Sequence, residues 1–321
     1  MPVIESSYRP KPIFRNGDFS TLYSALLRRV KGVHQIRERL ELEDGDFLDL
    51  NWSFASEKTK KCVILLHGLE GSATRSYILG AAKIFNENGF DACAVNYRGC
   101  SGEPNRNYFY YHSGKTDDLE TVIAHLIQDK KYSEIVINGF SLGGNIALKY
   151  AGENHSVPKE IKVLIAVSVP CDLSGSSSEL LKPRNLLYSI NFQNTLIQKI
   201  KYKQKHFPDK IELARIKSIR NLKEYDDVYT SKTFGFKDAE DYYEKCSCKP
   251  FMKNITLPTL MINAKNDSFL SESCYPISEA ENNPCIHLEI PEFGGHVGFV
   301  DENNVYYTEK RSLEFIRSLQ L

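Results

Sequence analysis

The chain has 321 residues and carries 41 basic and 41 acidic side chains, so its formal net charge is zero. A balanced charge gives no general attraction to nucleic acid or to anionic membranes, and we expect no nucleic-acid partner. A chain of this length can bury one large core, which favours a single domain over residues 1–321.

The eight cysteines are not arranged as a disulfide framework. Cys246 and Cys248 form the only close pair, and no second pair or histidine follows at the spacing that a zinc site needs. We therefore expect free thiols, a cytoplasmic location, and no metal or organic cofactor.

The amino-terminal residues have proline, arginine and aspartate where a secretory signal would have its apolar segment. No later run approaches the roughly 18 apolar residues of a membrane span, so we expect no integral membrane segment. Apolar residues at helical spacing predict a helical patch outside the core: Leu22, Leu26, Leu27 and Val30. Residues 37–54 alternate around Asp44 and Gly45, which predicts a hairpin and an antiparallel edge of the sheet.

From Cys62 onward, short apolar runs alternate with amphipathic segments. This β-α-β-α order predicts an α/β fold, with a mostly parallel central sheet and helices on both faces. Active sites of such sheets gather at the carboxyl ends of the strands. Ser141 and the loops 67–71 and 98–102 are all expected at such ends.

Residues 139–143 read Gly-Phe-Ser-Leu-Gly, between the apolar run 135–137 and a helical pattern. In a G-x-S-x-G turn, the glycines permit a tight strand-to-helix connection that exposes the serine hydroxyl. Ser141 is therefore the candidate nucleophile. The N–H of Leu142, at the amino end of the following helix, is a candidate donor to an oxyanion.

The alternation stops near Leu173 and resumes at Thr259, which predicts a helical cap inserted over residues 174–256. Residues 182–223 contain eleven lysines and arginines but only two acids, whereas residues 224–245 contain seven acids and three bases. Two interpretations stay open. The basic segment either faces its own acidic neighbour or forms a rim that attracts an anionic substrate or lipid headgroup.

A serine needs a base to activate it and an acid to orient that base. His296 is the preferred base because it lies in a glycine-rich loop after a predicted strand, and Asp267 ends the strand before that one. Asp172, at another strand end, is the alternative acid. Leu69 offers a second backbone N–H for the oxyanion, whereas His67 is expected to be structural.

His112 and Asp117 match an H-x-x-x-x-D pattern found in some acyltransferases. Asp117 together with Glu120 also fits a helix capping box, and we favour that structural interpretation.

Four blocks carry a resemblance to a known family: HGLEGSATRSYILG, NYRGCSGEPN, YYHSGKTDDL and NGFSLGGNIALKYAGE. In this order they resemble the YheT-type branch of the α/β-hydrolases, over roughly residues 10 to 320. That branch is also similar to certain eukaryotic membrane-anchored lipid hydrolases. The resemblance implies an esterase-like enzyme with Ser141, Asp267 and His296 as its triad.

The predicted function is a serine hydrolase that cleaves small carboxylic esters, with an apolar acyl part, through an acyl-enzyme. The alternatives are an acyltransferase and a non-catalytic binding protein on the same fold. The natural substrate and the oligomeric state are not determined by these patterns.

Overall fold

A single nine-stranded sheet runs through the computed structural model, which describes residues 3–153 and 156–320. The spatial order of the strands is β1-β9-β8-β7-β6-β4-β5-β3-β2. In chain order the strands are β1 (Val3–Ile4), β2 (Ile36–Glu41), β3 (Phe47–Ser53), β4 (Lys61–Leu66), β5 (Asp91–Asn96), β6 (Glu134–Phe140), β7 (Ile161–Val167), β8 (Thr259–Ile262) and β9 (Ile286–Glu289).

The central strands β4 to β9 pair in parallel, as predicted. Their apolar runs are buried on both sides. Ile64 and Ile137 belong to a cluster on one face of the sheet, and Val63 and Val136 belong to a cluster on the other face. Alternating side chains thus hold helices against both faces, which confirms the predicted α/β-hydrolase architecture.

The predicted antiparallel edge is present, since β2 pairs antiparallel with β3, and β3 with β5. The turn is longer than the two residues of the simplest hairpin. The N–H of Leu42 donates to Asp46 O, and Gly45 has a φ of +78° in the left-handed region that favours glycine. At the opposite edge, β1 pairs in parallel with β9, and this two-residue strand was too short to be predicted.

The helices are α1 (Gly17–Leu22), α2 (Ser76–Asn86), α3 (Thr116–Gln128), α4 (Leu142–Gly152), α5 (Leu173–Leu180), α6 (Leu186–His206), α7 (Leu213–Ser218), α8 (Leu222–Tyr225), α9 (Ser231–Phe234), α10 (Ala239–Cys246), α11 (Ile277–Glu281) and α12 (Tyr307–Ser318). Side chains of α3 and α4 join the first apolar cluster, and those of α2 and α12 join the second. Within the described ranges there are two π-helical segments, Tyr23–Leu27 and Asp226–Thr230.

Helices α5 to α10 all lie between β7 and β8, and no strand interrupts them among the residues described there. They contact loops at the carboxyl ends of the strands. Tyr110 OH donates to Lys199 O over 3.0 Å, and Asn185 Nδ2 donates to Ser268 O over 2.6 Å. Helix α6 and the residue that precedes it therefore contact the edge of the sheet where the site was expected.

Within residues 3–153 and 156–320, no helix is both long enough and apolar enough to cross a membrane.

Candidate active site

Ser141 lies at the tight turn between β6 and α4 and has a φ of +54° and a ψ of −122°. A Cβ atom added at Gly139 would lie 2.4 Å from Gly143 O, and one added at Gly143 would lie 2.4 Å from Leu66 O. Only glycine fits at either position. The sequence therefore folds here into a strained turn that presents the serine hydroxyl at the sheet edge.

Three side chains form one hydrogen-bonded series. Ser141 Oγ donates to His296 Nε2 over 2.9 Å, and His296 Nδ1 donates to Asp267 Oδ2 over 2.8 Å. The Asp267 side chain is fully buried, and its second oxygen accepts from Phe269 N over 2.9 Å. This is the arrangement in which a histidine can take a proton from a serine while a carboxylate fixes its tautomer.

Asp172, the alternative acid, has a different place. It is the N-cap of α5, and its Oδ1 accepts from Gly175 N over 3.1 Å. The structure thus brings Asp267 to the histidine and leaves Asp172 as a helix cap.

The loop that carries His296 is held by residues that sequence reasoning missed. Thr21 Oγ1 accepts from His296 N over 2.8 Å, Asn266 Oδ1 accepts from Gly295 N over 2.9 Å, and Ser168 Oγ accepts from Val297 N over 2.9 Å. Thr21 is 275 residues away along the chain, so no local pattern could have indicated it.

Two backbone N–H groups beside Ser141 remain unpaired. In the part of the chain that the structure describes, the N–H groups of Leu69 and Leu142 have no hydrogen-bond acceptor. The loop of Leu69 passes close to the serine, since a Cβ atom added at Gly68 would lie 3.1 Å from Ser141 Cβ. These two donors are available to an oxyanion that forms at Ser141.

Glu70, the residue after Leu69, has a φ of +53°. Tyr111 OH accepts from Glu70 N over 2.8 Å and donates to Glu70 Oε1 over 2.9 Å. Lys199 of α6 places its Nζ 2.9 Å from the same carboxylate. This buried network holds the loop that carries the Leu69 N–H, and no local pattern of residues indicated it.

His67 is fully buried, and burial lowers its pKa to about 3. Its Nδ1 donates to Gly68 O over 2.7 Å, and its Nε2 accepts from Tyr97 N over 3.3 Å. Both ring nitrogens are therefore used in holding the loop, in the neutral form.

His112 and Asp117 do not form an acid–base pair. His112 Nδ1 accepts from Gly114 N over 3.1 Å, and burial lowers the pKa of its imidazole to about 3. The Asp117 side chain is exposed and paired with Lys115. The predicted capping box is wrong, because α3 begins after Lys115, whose side chain makes no capping hydrogen bond.

The Ser141 and His296 side chains open into a cavity of about 340 Å³ between the sheet edge and helices α5, α6, α8 and α10. Part of the cavity wall is apolar and includes Leu142, Leu173, Phe192, Leu196, Phe269 and Val297. The Phe269 ring stacks on His296 with the ring centroids 4.3 Å apart. The cavity can therefore accommodate an apolar group beside the hydroxyl.

Residues 57–274 match the family described as serine aminopeptidase, S33. The chain is also 35% identical to "Putative esterase YheT" of Escherichia coli (strain K12), over 92% of this chain and 87% of that protein. This chain belongs to the YheT-type α/β-hydrolases.

Another relative of this YheT-type hydrolase is human "Phospholipase ABHD3", which is 29% identical over 94% of this chain and 75% of its own. Among solved structures, the esterase Pf2001 of Pyrococcus furiosus superimposes with a TM-score of 0.60 at 16% identity, covering 92% of this chain and 96% of that one. The family therefore has members named as esterases and lipases, and the distant structural match supports the fold alone.

Proposed function

We propose that this YheT-type hydrolase cleaves carboxylic esters through an acyl-enzyme on Ser141. The observation that carries the proposal is the hydrogen-bonded series from Ser141 through His296 to Asp267, which opens into a cavity beside two unpaired N–H groups. A nucleophile, a base, an orienting acid and oxyanion donors are the four parts that acyl transfer to a serine requires.

In the first half-reaction, Ser141 Oγ attacks the ester carbonyl while His296 Nε2 takes the hydroxyl proton. Asp267 stabilises the imidazolium that forms, and the N–H groups of Leu69 and Leu142 receive the negative oxygen. His296 then gives its proton to the leaving alcohol, which leaves the acyl group on Ser141.

In the second half-reaction, water takes the place of the alcohol. His296 removes a proton from the water as it attacks the acyl carbon, and the same N–H groups stabilise the second tetrahedral intermediate. Return of the proton to Ser141 Oγ releases the carboxylic acid. No metal or organic cofactor enters either half-reaction.

We further propose that residues 174–256 form a cap and that the substrate has an apolar acyl part. Helix α6 of this segment contributes Phe192 and Leu196 to the apolar part of the cavity wall, and a relative named as a phospholipase is consistent with an acyl ester. Such a wall favours an acyl chain over a polar group because it removes apolar surface from water.

The test is hydrolysis of p-nitrophenyl esters with acyl chains of increasing length. We expect turnover by the wild type, a rise in kcat/KM with chain length until the cavity is filled, and loss of at least about 10³ in kcat in Ser141→Ala. Unchanged hydrolysis in Ser141→Ala would contradict the proposal. No hydrolysis of any ester by the wild type would favour the non-catalytic alternative, and an ester formed from an added alcohol would favour acyl transfer.

A further inference from the structure

Leucines and an isoleucine are left exposed on two neighbouring segments of the surface. We call this set the apolar rim. Its first half is Leu22 at the end of α1 with Leu26 and Leu27 in the π-helical segment that follows, and its second half is Leu186, Leu187 and Ile190 at the start of α6. Leu187 is 82% exposed, and Leu26 and Leu27 are 60% and 62% exposed. Clustered exposed side chains of this kind mark a surface that contacts something apolar.

The two halves of the apolar rim border the same opening. Ala25 and Asn191 are both exposed and both line the cavity of Ser141, so they mark its mouth. Each is a close sequence neighbour of apolar-rim residues on its own helical segment. An ion pair of 3.2 Å between Asp18 and Arg184 joins the two segments.

The surroundings of the apolar rim are strongly basic. Residues 11–31 and 179–205 contain eleven lysines and arginines but only two acids, Asp18 and Glu179. Both acids are already paired, with Arg184 and Lys182. Six exposed cations of these segments have no ion-pair partner among the described residues: Lys11, Arg15, Arg29, Lys31, Lys201 and Lys205.

The basic charge is not neutralised by the acidic segment of the cap. Among the described residues, Lys223 with Glu240 is the one ion pair that joins segment 182–223 to segment 224–245. Although the net charge of the whole chain is zero, the side of the molecule around the cavity mouth therefore has a positive electrostatic field.

We infer that the apolar rim docks on the surface of an anionic lipid bilayer, with the mouth of the cavity facing the lipid. Leucine side chains would enter the boundary between headgroups and acyl chains, while the flanking lysines and arginines stay among the anionic headgroups. A second copy of the chain fits less well, because it would bring two positive surfaces together.

Docking goes beyond the proposed chemistry, although it would let an acyl chain pass from lipid into the cavity without crossing water. We test docking with the Ser141→Ala variant, so that binding to vesicles is measured without hydrolysis of the lipid. We expect this protein to co-sediment with vesicles of phosphatidylcholine containing about one third phosphatidylglycerol, and to bind vesicles of phosphatidylcholine alone at least about tenfold more weakly. Raising the salt concentration should weaken binding to the anionic vesicles.

In the same background, Leu26→Asp and Leu187→Asp should each reduce binding to the anionic vesicles by about tenfold or more. Ile36→Asp is the matched control, because Ile36 is 63% exposed on the edge strand β2, outside both segments of the rim. The charge variant Lys201→Glu should also weaken binding, and Lys58→Glu, exposed in the loop between β3 and β4, should not. Thermal unfolding checks that each variant is folded.

Hydrolysis of a short water-soluble ester by the otherwise wild-type enzyme carrying Leu187→Asp should be unchanged. The inference is wrong if Ser141→Ala does not bind anionic vesicles, or if the apolar-rim variants bind as well as the Ile36→Asp control. Dimers in sedimentation velocity that dissociate on Leu187→Asp, without vesicle binding, would assign the surface to a second copy. Because none of the binding arms requires turnover, failure of docking is distinguishable from failure of the proposed hydrolysis.

Discussion

Asp172 and Asp267 follow the neighbouring strands β7 and β8. The hydrogen bonds of their side chains show that the two residues have different roles. Asp267 accepts from His296 Nδ1 over 2.8 Å, whereas Asp172 accepts from Gly175 N at the start of α5. An asparagine at position 267 would present an N–H group to the imidazole and favour the wrong tautomer.

Asp267→Asn should therefore lower kcat for p-nitrophenyl esters by about 10⁴ with the fold intact. Asp172→Asn is the matched control and should keep kcat close to that of the wild type, since asparagine also caps helices well. Steady-state kinetics and circular dichroism on both variants make the measurement. The assignment fails if the two variants exchange these outcomes.

Asp226 is a carboxyl on the cavity wall without an ion-pair partner among the described residues. Its oxygens accept from Thr230 Oγ1 and Tyr243 OH, each over 2.7 Å. Burial raises its pKa to about 6, and the nearby charge of Asp227 acts in the same direction. The folded state therefore holds this proton more tightly than the unfolded chain does.

A raised pKa in the folded state stabilises the protein at low pH, and this contribution is lost as the pH rises from about 4 to about 6. Asparagine cannot ionise. From pH 4 to pH 7.5, the free energy of unfolding of Asp226→Asn should thus increase by about 2.4 kcal/mol relative to that of the wild type. Urea unfolding at several pH values measures this. A pH-independent difference between Asp226→Asn and the wild type would rule out this explanation.

An ion pair between Lys199 and Glu70 joins helix α6 to the loop after β4. The Glu70 side chain is only 4% exposed and that of Lys199 19%. Removing one partner leaves the other charge buried and unpaired, which costs more than removing both.

Lys199→Met should lower the free energy of unfolding by about 3 kcal/mol and reduce kcat, because Glu70 is next to Leu69, which we propose as an oxyanion donor. The double variant Glu70→Gln with Lys199→Met should be more stable than Lys199→Met alone. Lys201→Met, on the same helix but exposed, is the control for stability. Urea unfolding and kcat measure the two effects, and equal stability of the single and double variants would exclude a coupled pair.

The elements from β4 to α4 could be predicted because their signals are local. The run before Ser141 is apolar, the glycines around it are required by contacts of 2.4 Å, and the helix follows at once. Strand β1 could not be predicted, because two residues carry no periodicity and its pairing with β9 spans almost the whole chain. The capping box at Asp117 failed because the helix starts one residue after Lys115, which makes no side-chain cap.

Local patterns also could not predict the residues that hold the loops of the site in place. The order of Ser141, Asp267 and His296 along the chain predicted that their side chains would meet, since each follows a parallel strand at one sheet edge. Thr21 and the pair of Glu70 with Lys199 act across 275 and 129 residues, so only the folded chain brings them together. The prediction for the helical patch 22–30 was also incomplete. It placed these residues outside the core but did not indicate that Leu26 and Leu27 would be exposed beside the cavity mouth.

Because the central strands are parallel, the loops that follow them lie at the same edge of the sheet. The loops after β4, β6, β8 and β9 carry Leu69, Ser141, Asp267 and His296. Thr21 of α1 accepts a hydrogen bond from His296 N, and residues of α5, α6, α8 and α10 line the cavity of Ser141. We propose that all of these parts act as one domain, because the site uses residues from each.

We propose that His296 activates Ser141 for attack on a carbonyl, and the rate of reaction with a fluorophosphonate probe measures this activation. The wild type should be labelled, with peptide mapping placing the adduct on Ser141, and Ser141→Ala should not react. His296→Gln should react at least about 100-fold more slowly, whereas His112→Gln should react at the wild-type rate. An unlabelled wild type, an adduct on another residue, or wild-type reactivity in His296→Gln would contradict the account.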